Sequence, residues 1–239
     1  MKTILSNFRV AILAALATVH HIPPAKASSI NIDAITIKAG EVYVLGSGPS
    51  LGLPPPFVVV TGTISIAPGF FVDLLSAVLI VQSTPFSTVY GYVVNGYGGG
   101  TWLGDSGSEP GGGIGSSSAA NDSEGLTAVG IINNAEANYT EFHGVSLSLG
   151  TETLVAYAYI GDANLDGDVT AADLALMGTG SGWYHGDFNY DGAVDASDYD
   201  LYNFTFEALH PAPEPTSAIL VIGGVVLLCS RRRRIHAAI

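Results

Sequence analysis

Asp162-Ala-Asn164-Leu-Asp166-Gly167-Asp168-Val169-Thr170-Ala-Ala-Asp173 is followed, 25 residues on, by Asp187-Phe-Asn189-Tyr-Asp191-Gly192-Ala193-Val194-Asp195-Ala-Ser-Asp198. Both stretches place oxygen-bearing side chains at loop positions 1, 3, 5 and 12, with glycine at 6. A hard cation such as Ca²⁺ has to be wrapped by one turn of chain, so its oxygen ligands alternate along the loop. The glycine permits the sharp bend, and position 7 can ligate through its carbonyl. The spacing therefore predicts two Ca²⁺ ions. One set is Asp162, Asn164, Asp166 and Asp173 with the carbonyl of Asp168; the other is Asp187, Asn189, Asp191 and Asp198 with the carbonyl of Ala193. Thr170 and Asp195 fall at position 9, where a water usually bridges. Matching Val169 and Val194 strengthen the reading as a true duplication.

An ordinary EF-hand would open with a helix and close with glutamate, and neither holds here. Leu154-Val-Ala-Tyr-Ala-Tyr-Ile160 is apolar, β-branched and aromatic, which predicts a strand entering the first loop. Helices are expected only on the exit side, from Ala171 to Met177 and from Ala196 to about Leu209. A paired loop-helix with aspartate at position 12 resembles the type I dockerin module over roughly Gly161 to Leu209. The resemblance implies two folding Ca²⁺ ions and docking to a cohesin-like partner or to other surface modules. This chain departs from the family at the Ser-Thr-like pair before the last ligand, carrying Ala171-Ala172 and Ala196-Ser197 instead. That departure bears on partner recognition and leaves the ligand positions untouched.

The two ends read as targeting segments. Met1 to Ala27 has Lys2 and Arg9, the apolar run Val10 to Val19, and Ala25-Lys26-Ala27 before Ser28, the pattern of a secretory signal peptide over 1–27. The other end carries Pro213-Glu214-Pro215, the apolar run Ala218 to Cys229 and Arg231-Arg232-Arg233-Arg234. This tripartite 211–239 tail resembles the PEP-CTERM sorting signal. Its 12-residue apolar core would reach about 18 Å as a helix, short of the roughly 30 Å of hydrocarbon. The arginines favour the cytoplasmic side. The resemblance implies an exosortase-type processing enzyme, membrane anchoring before cleavage, and delivery to the envelope, outer surface or extracellular matrix.

Between Ser28 and His210 the only basic residue is Lys38, against twenty Asp and Glu, a formal charge of −19. Such a body excludes nucleic-acid binding by counterion release and is receptive to divalent cations. Each loop holds four aspartates, so metal binding is expected to be coupled to folding. The single cysteine, Cys229, lies in the tail, which leaves the body to core burial, turns and metal for its stability.

Residues 28–160 read as a mainly β body, a β-sandwich or a short β-solenoid, ahead of the small α loop-helix module at 161–209. Alternation marks Ile30-Asn-Ile32, Ile35-Thr-Ile37, Thr63 to Ile66 and, most clearly, Val145-Ser-Leu147-Ser-Leu149. Phe57 to Val60 and Val78 to Val81 are continuous runs suited to buried strands. Phe71 to Leu79 and Gly125 to Ala137 are weaker helix candidates. The Gly/Ser-rich stretch 96–118 reads as a surface loop or linker. Asn95 to Trp102, Gly-Ile114-Gly and the strand into Gly161 together resemble a juxtadockerin region of planctomycete-like exported proteins, which implies a surface protein and no particular activity.

Catalytic patterns are thin. Gly104-Asp105-Ser106-Gly107 spells the tetrapeptide around a trypsin-like nucleophile, yet the nearest candidate base in the body, His143, lies downstream of it. Gly46 to Gly52 lacks the Lys-Ser/Thr of a phosphate loop. Glu109, Glu124, Glu136, Glu141 and Glu152 could supply paired carboxylates for glycoside hydrolysis. Trp102, Tyr90, Tyr92 and Tyr97 could form a sugar platform, with strand and loop packing as the plainer role. Trp183 and His185 are expected to brace the second loop. The sequence thus points to a non-enzymatic, exported, calcium-stabilised surface or matrix protein for display, adhesion or docking. The alternative is a carbohydrate-binding or polysaccharide-degrading dockerin protein acting on matrix polysaccharide.

Overall fold

The computed structural model describes residues 9–11, 29–37, 41–44, 58–104 and 113–211. The described chain is β-rich first and helical later, and its first large sheet follows directly from the apolar runs. β2 (Ser29–Ile37), β4 (Val58–Ile66) and β6 (Val78–Val81) lie parallel, with Ile30 opposite Val59 and Val59 opposite Leu79. β6 is buried at every residue, as is β4 from Val58 to Thr61, the signature of strands covered on both faces. β11 (Thr153–Tyr159) runs antiparallel to β6 on one side and to β8 (Thr127–Asn133) on the other, giving the order β2-β4-β6-β11-β8. β8 is therefore an edge strand.

A second, all-parallel sheet has the order β1 (Arg9–Ala11), β3 (Glu41–Val44), β5 (Phe71–Asp73), β7 (Gly113–Gly115). From β2 to β7 successive strands alternate between the two sheets, so the chain winds from one ladder to the other and back. The short hairpin β9 (Glu141–Phe142) and β10 (Val145–Ser146) turns through His143 and Gly144 at φ 45 and 80. Two positive φ values suit the twist of a two-residue hairpin.

Between β6 and β7 stands α1 (Phe86–Tyr97), preceded by Pro85 and ended by Gly98 in the left-handed region. It buries Val89, Val93 and Gly96, spaced four and then three residues apart on one helical face. Gly96 is the contact point: a Cβ there would collide with the Ile114 carbonyl of β7, and one on Gly115 would meet the Phe71 ring. Glycine here lets a helix and a strand touch backbone to backbone.

Several segments differ from the sequence expectation. Phe71 to Leu79 is not a helix but β5, a turn at Leu75 (φ 52) and the start of β6. Gly125 to Ala137 is mostly β8, followed by the single turn α3 (Asn134–Ala137). Within 96–118, Gly113–Gly115 is a fully buried strand, and α2 (Ser117–Ala120) is capped by the Ser116 hydroxyl; residues 105–112, with the Asp105-Ser106 pair, lie outside the described residues. The alternation at Val145 to Leu149 yields only the two residues of β10, because the Ser148 and Leu149 N–H groups turn to the Glu152 carboxylate instead.

Glu152 is 1 % exposed, and its environment explains how the fold tolerates it. Burial pushes its pKa up, but the N–H groups of Leu149 and Ser148 and the Asn134 amide outweigh this and hold it down at about 2. A depressed folded-state pKa stabilises the fold above the ordinary carboxylate range, and that contribution disappears as pH falls toward 2.

The described residues up to Phe206 form one compact unit, with Glu207 onward assigned to a second. Among the described residues no helix is long and apolar enough to cross a membrane. Pro213, Glu214, Pro215 and the apolar tail lie outside the described residues, as does the leader except for β1.

Two glycines of α1 provide a test with opposite signs. A Cβ on Gly91 meets nothing within 4 Å, so Gly91→Ala should stabilise by up to about 1 kcal/mol through helix propensity. Gly96→Ala should destabilise by about 1–3 kcal/mol through overpacking. Urea denaturation of the two variants reads both; equal effects would contradict the packing described.

Candidate metal centre

α4 (Ala171–Leu176) and α5 (Ala196–Leu209) exit the two acidic loops, as the spacing predicts. The loops share more than sequence. Position 4 of each is a non-glycine residue in the left-handed region, Leu165 at φ 56 and Tyr190 at φ 55. Position 6 is Gly167 at φ 98 and Gly192 at φ 89. Non-glycine residues adopt this conformation at a cost, so the paired occurrence marks one repeated backbone design.

The hydrogen bonds repeat as well. Asn164 and Asn189 at position 3 each accept the position-5 N–H, at 2.8 and 2.9 Å, and donate their amide to the position-5 carboxylate, at 2.8 and 2.9 Å. The position-5 carboxylate accepts the position-7 N–H, Asp168 to Asp166 at 3.1 Å and Ala193 to Asp191 at 2.9 Å. At position 12, Asp173 accepts the Asn164 and Thr170 N–H groups, and Asp198 accepts those of Phe188 and Asp195. Asp173 and Thr170 form a capping box on α4, and the Asp195 carboxylate accepts the Ser197 N–H at the start of α5. Position 12 therefore closes the loop and starts the helix with one carboxylate. Thr170 and Asp195 act here as helix-start residues.

Position 1 is where the copies differ. Asp162 accepts the N–H groups of Asp166 at 3.1 Å and Gly167 at 3.0 Å, one on each oxygen. Asp187 accepts the Tyr90 hydroxyl of α1 on Oδ2 at 3.4 Å and feels the Gly192 N–H, the counterpart of Gly167, but no donor reaches its buried Oδ1 with full hydrogen-bond geometry. Such an acceptor is costly.

Asp162, Asp173, Asp187 and Asp198 are all at most 1 % exposed. Among the described residues the one ion pair is His185 to Glu136, at 3.2 Å, so no cationic side chain neutralises the four. Burial pushes Asp162 up to about 7. The Gly167 N–H opposes this, and the charges of Asp173 and Asp166 add to it. Burial likewise raises Asp187, with Asp198 and Asp191 as the next causes. Burial also raises Asp173. In each loop, then, the acids of positions 1, 5 and 12 sit near enough to repel one another. A hard divalent cation would offset that repulsion and could take Asp187 Oδ1 as a ligand, and the donors at these positions are all oxygens, the chemistry such an ion prefers. Among the described residues no group of three or more His, Cys, Asp or Glu side chains is drawn together so as to hold an ion. The fit thus rests on repeated geometry, buried repulsion and the orphan oxygen.

The remaining candidates disperse. Trp183 is 1 % exposed and donates its indole N–H to the Asp162 carbonyl at 2.8 Å, while its ring packs on Phe188 and Tyr190. His185 joins Thr179 and Glu136. Trp102 is 4 % exposed and, with Tyr97, packs against Tyr190, so it offers no open platform for a sugar ring. His143 occupies the β9–β10 turn edge-on to Phe142, and burial pulls its imidazole pKa down. Sequence reasoning missed Tyr90 as a partner of Asp187 and Tyr139, whose hydroxyl donates to the Asn164 carbonyl at 3.0 Å. No short-range signal in the chain marks either. No protein-family model, curated protein or solved structure matches this chain.

The raised Asp162 pKa sets a pH window. A carboxyl raised in the folded state favours the fold below its unfolded pKa, and the contribution is lost as pH rises through about 7. With a chelator present, the urea midpoint should therefore fall between pH 5 and pH 8, and Asp162→Asn should flatten that fall. A midpoint that rises over the same interval in the native chain would contradict the assignment.

Proposed function

We propose that this chain is a non-enzymatic, exported protein of a bacterial envelope or matrix, whose fold two Ca²⁺ ions complete and whose role is display, adhesion or docking. The observation that carries the reading is the duplicated acidic loop, alike in spacing, backbone conformation and hydrogen bonding. Asp162, Asn164, Asp166 and Asp173 would hold one ion with the Asp168 carbonyl, and Asp187, Asn189, Asp191 and Asp198 the other with the Ala193 carbonyl. When bound, calcium supplies positive charge to buried acids that otherwise repel.

The loop-helix pair is read as dockerin-like on the residues quoted for that resemblance, and the winding of β2 to β7 as a short solenoid. The leader, the Pro213-Glu214-Pro215 motif and the arginine cluster support export and exosortase-type sorting, with the tail anchoring the chain before cleavage. The buried Trp102, with the half-buried Tyr97 packed on it and on Tyr190, favours packing over sugar recognition for these two aromatics. Cohesin-like partners or matrix polysaccharide remain the candidate external ligands.

Calorimetric titration of the full-length chain should register two Ca²⁺ ions. Asp166→Ala and Asp191→Ala should each reduce this to one, the loops being independent in their ligands. Unchanged stoichiometry in both variants would overturn the ligand assignment.

A further inference from the structure

The position-4 residues of the two loops point to where the repeat docks. Both are buried, Leu165 at 3 % and Tyr190 at 7 % exposure, although position 4 carries none of the oxygens proposed as metal ligands. Both reach the same place. The Tyr190 hydroxyl donates to the Val129 carbonyl at 2.6 Å. A Cβ on the next residue, Gly130, would lie 2.5 Å from Leu165 Cδ2 and 2.7 Å from the Trp183 indole, so Gly130 is open for the first loop to seat. Val129 and Gly130 are adjacent on the edge strand β8. An exposed strand edge is a liability that proteins cover, and here the acidic repeat covers it.

Contacts flank this pair on both sides. Tyr139, just after α3, donates to the Asn164 carbonyl of the first loop at 3.0 Å, and Tyr90 of α1 donates to Asp187 of the second at 3.4 Å. The two loops are joined to each other: Trp183 donates to the Asp162 carbonyl at 2.8 Å, and Tyr202 of α5 to the Thr170 carbonyl at 2.7 Å. Leu165 and Tyr190 share a left-handed φ, and their side chains lie against β8, whereas positions 3 and 5 hydrogen-bond to each other within each loop.

We infer that the inner face of the acidic repeat is a docking surface whose partner is strand β8 of the same chain, and that cation binding in the loops closes this clasp on the sheet edge. The inference rests on the metal reading above. It gives position 4 a role distinct from ligation: Leu165 and Tyr190 carry the ordering of each loop into the body. It also means that the repeat is not a module hung on a linker, and that an external partner must use some other face.

Hydrogen exchange of the full-length protein, read by mass spectrometry with Ca²⁺ and with chelator, tests the clasp beside a calorimetric titration. Calcium should slow exchange in 127–133 about tenfold or more, together with 162–198. Tyr190→Phe should still bind two ions but lose about fivefold of the calcium-dependent slowing in 127–133. Two ions bound with protection confined to 162–198, or full protection of 127–133 retained in Tyr190→Phe, would overturn the clasp and leave the metal reading standing. No calorimetric binding in the native chain would overturn both.

Discussion

Four buried carboxylates that no cationic side chain meets among the described residues are the constraint around which the later half of this fold is organised. Asp162, Asp173, Asp187 and Asp198 are withdrawn from water beside one another in pairs, where each charge raises the cost of its neighbour's. The chain answers in part with its own N–H groups: the position-12 acids are held by loop and helix-start amides, and Asp162 by Asp166 and Gly167. The answer is weakest at Asp187, where the Gly192 N–H helps but no donor reaches Oδ1 with full hydrogen-bond geometry. Glu152 provides the contrast within the same molecule. It has as little contact with solvent but sits less deeply, three N–H groups and the Asn134 amide satisfy it, and its pKa falls where those of Asp162 and Asp187 rise. Burial alone does not make an acid unstable; what it faces does.

The duplicated loop was legible because its turns and hydrogen bonds repeat at fixed local spacing, and local spacing is what a sequence displays. The same holds for the apolar runs that became β4 and β6, and for the exit helices α4 and α5. What escaped depended on distant partners. Phe86 to Tyr97 is rich in valine and tyrosine, which favour strands, yet it is a helix that buries Val89, Val93 and Gly96 and seats Gly96 against β7. Its borders, Pro85 and Gly98, were the available helix signals. Gly113 to Gly115 reads as low complexity, but these glycines are small because α1, Phe71 and Trp102 press on them. The cleanest alternation, at Val145 to Leu149, failed because a buried carboxylate three residues on claimed its N–H groups.

At the site, sequence supplied the proposed ligand positions and the bracing Trp183, and little else of their setting. Position 4 carries leucine in one loop and tyrosine in the other, and only the fold reveals that both fill adjacent places on β8. Tyr90 and Asp187 are 97 residues apart, a separation that no motif bridges. These contacts place the loops against the body that the chain builds first, so the acidic repeat and the sheet edge are expected to order together. Under the proposed function, surroundings rich in calcium and poor in reductant would hold the repeat closed without a disulfide.

Terbium luminescence gives the most direct measurement of the central claim, because Tb³⁺ occupies Ca²⁺ sites and emits when a nearby indole or phenol is excited. Trp183 and Tyr190 lie against the two loops. Two filled loops would give sensitised emission that saturates at two equivalents of Tb³⁺ per chain and is displaced by Ca²⁺. Emission that never saturates, or that Ca²⁺ fails to displace, would reduce the repeats to acidic turns.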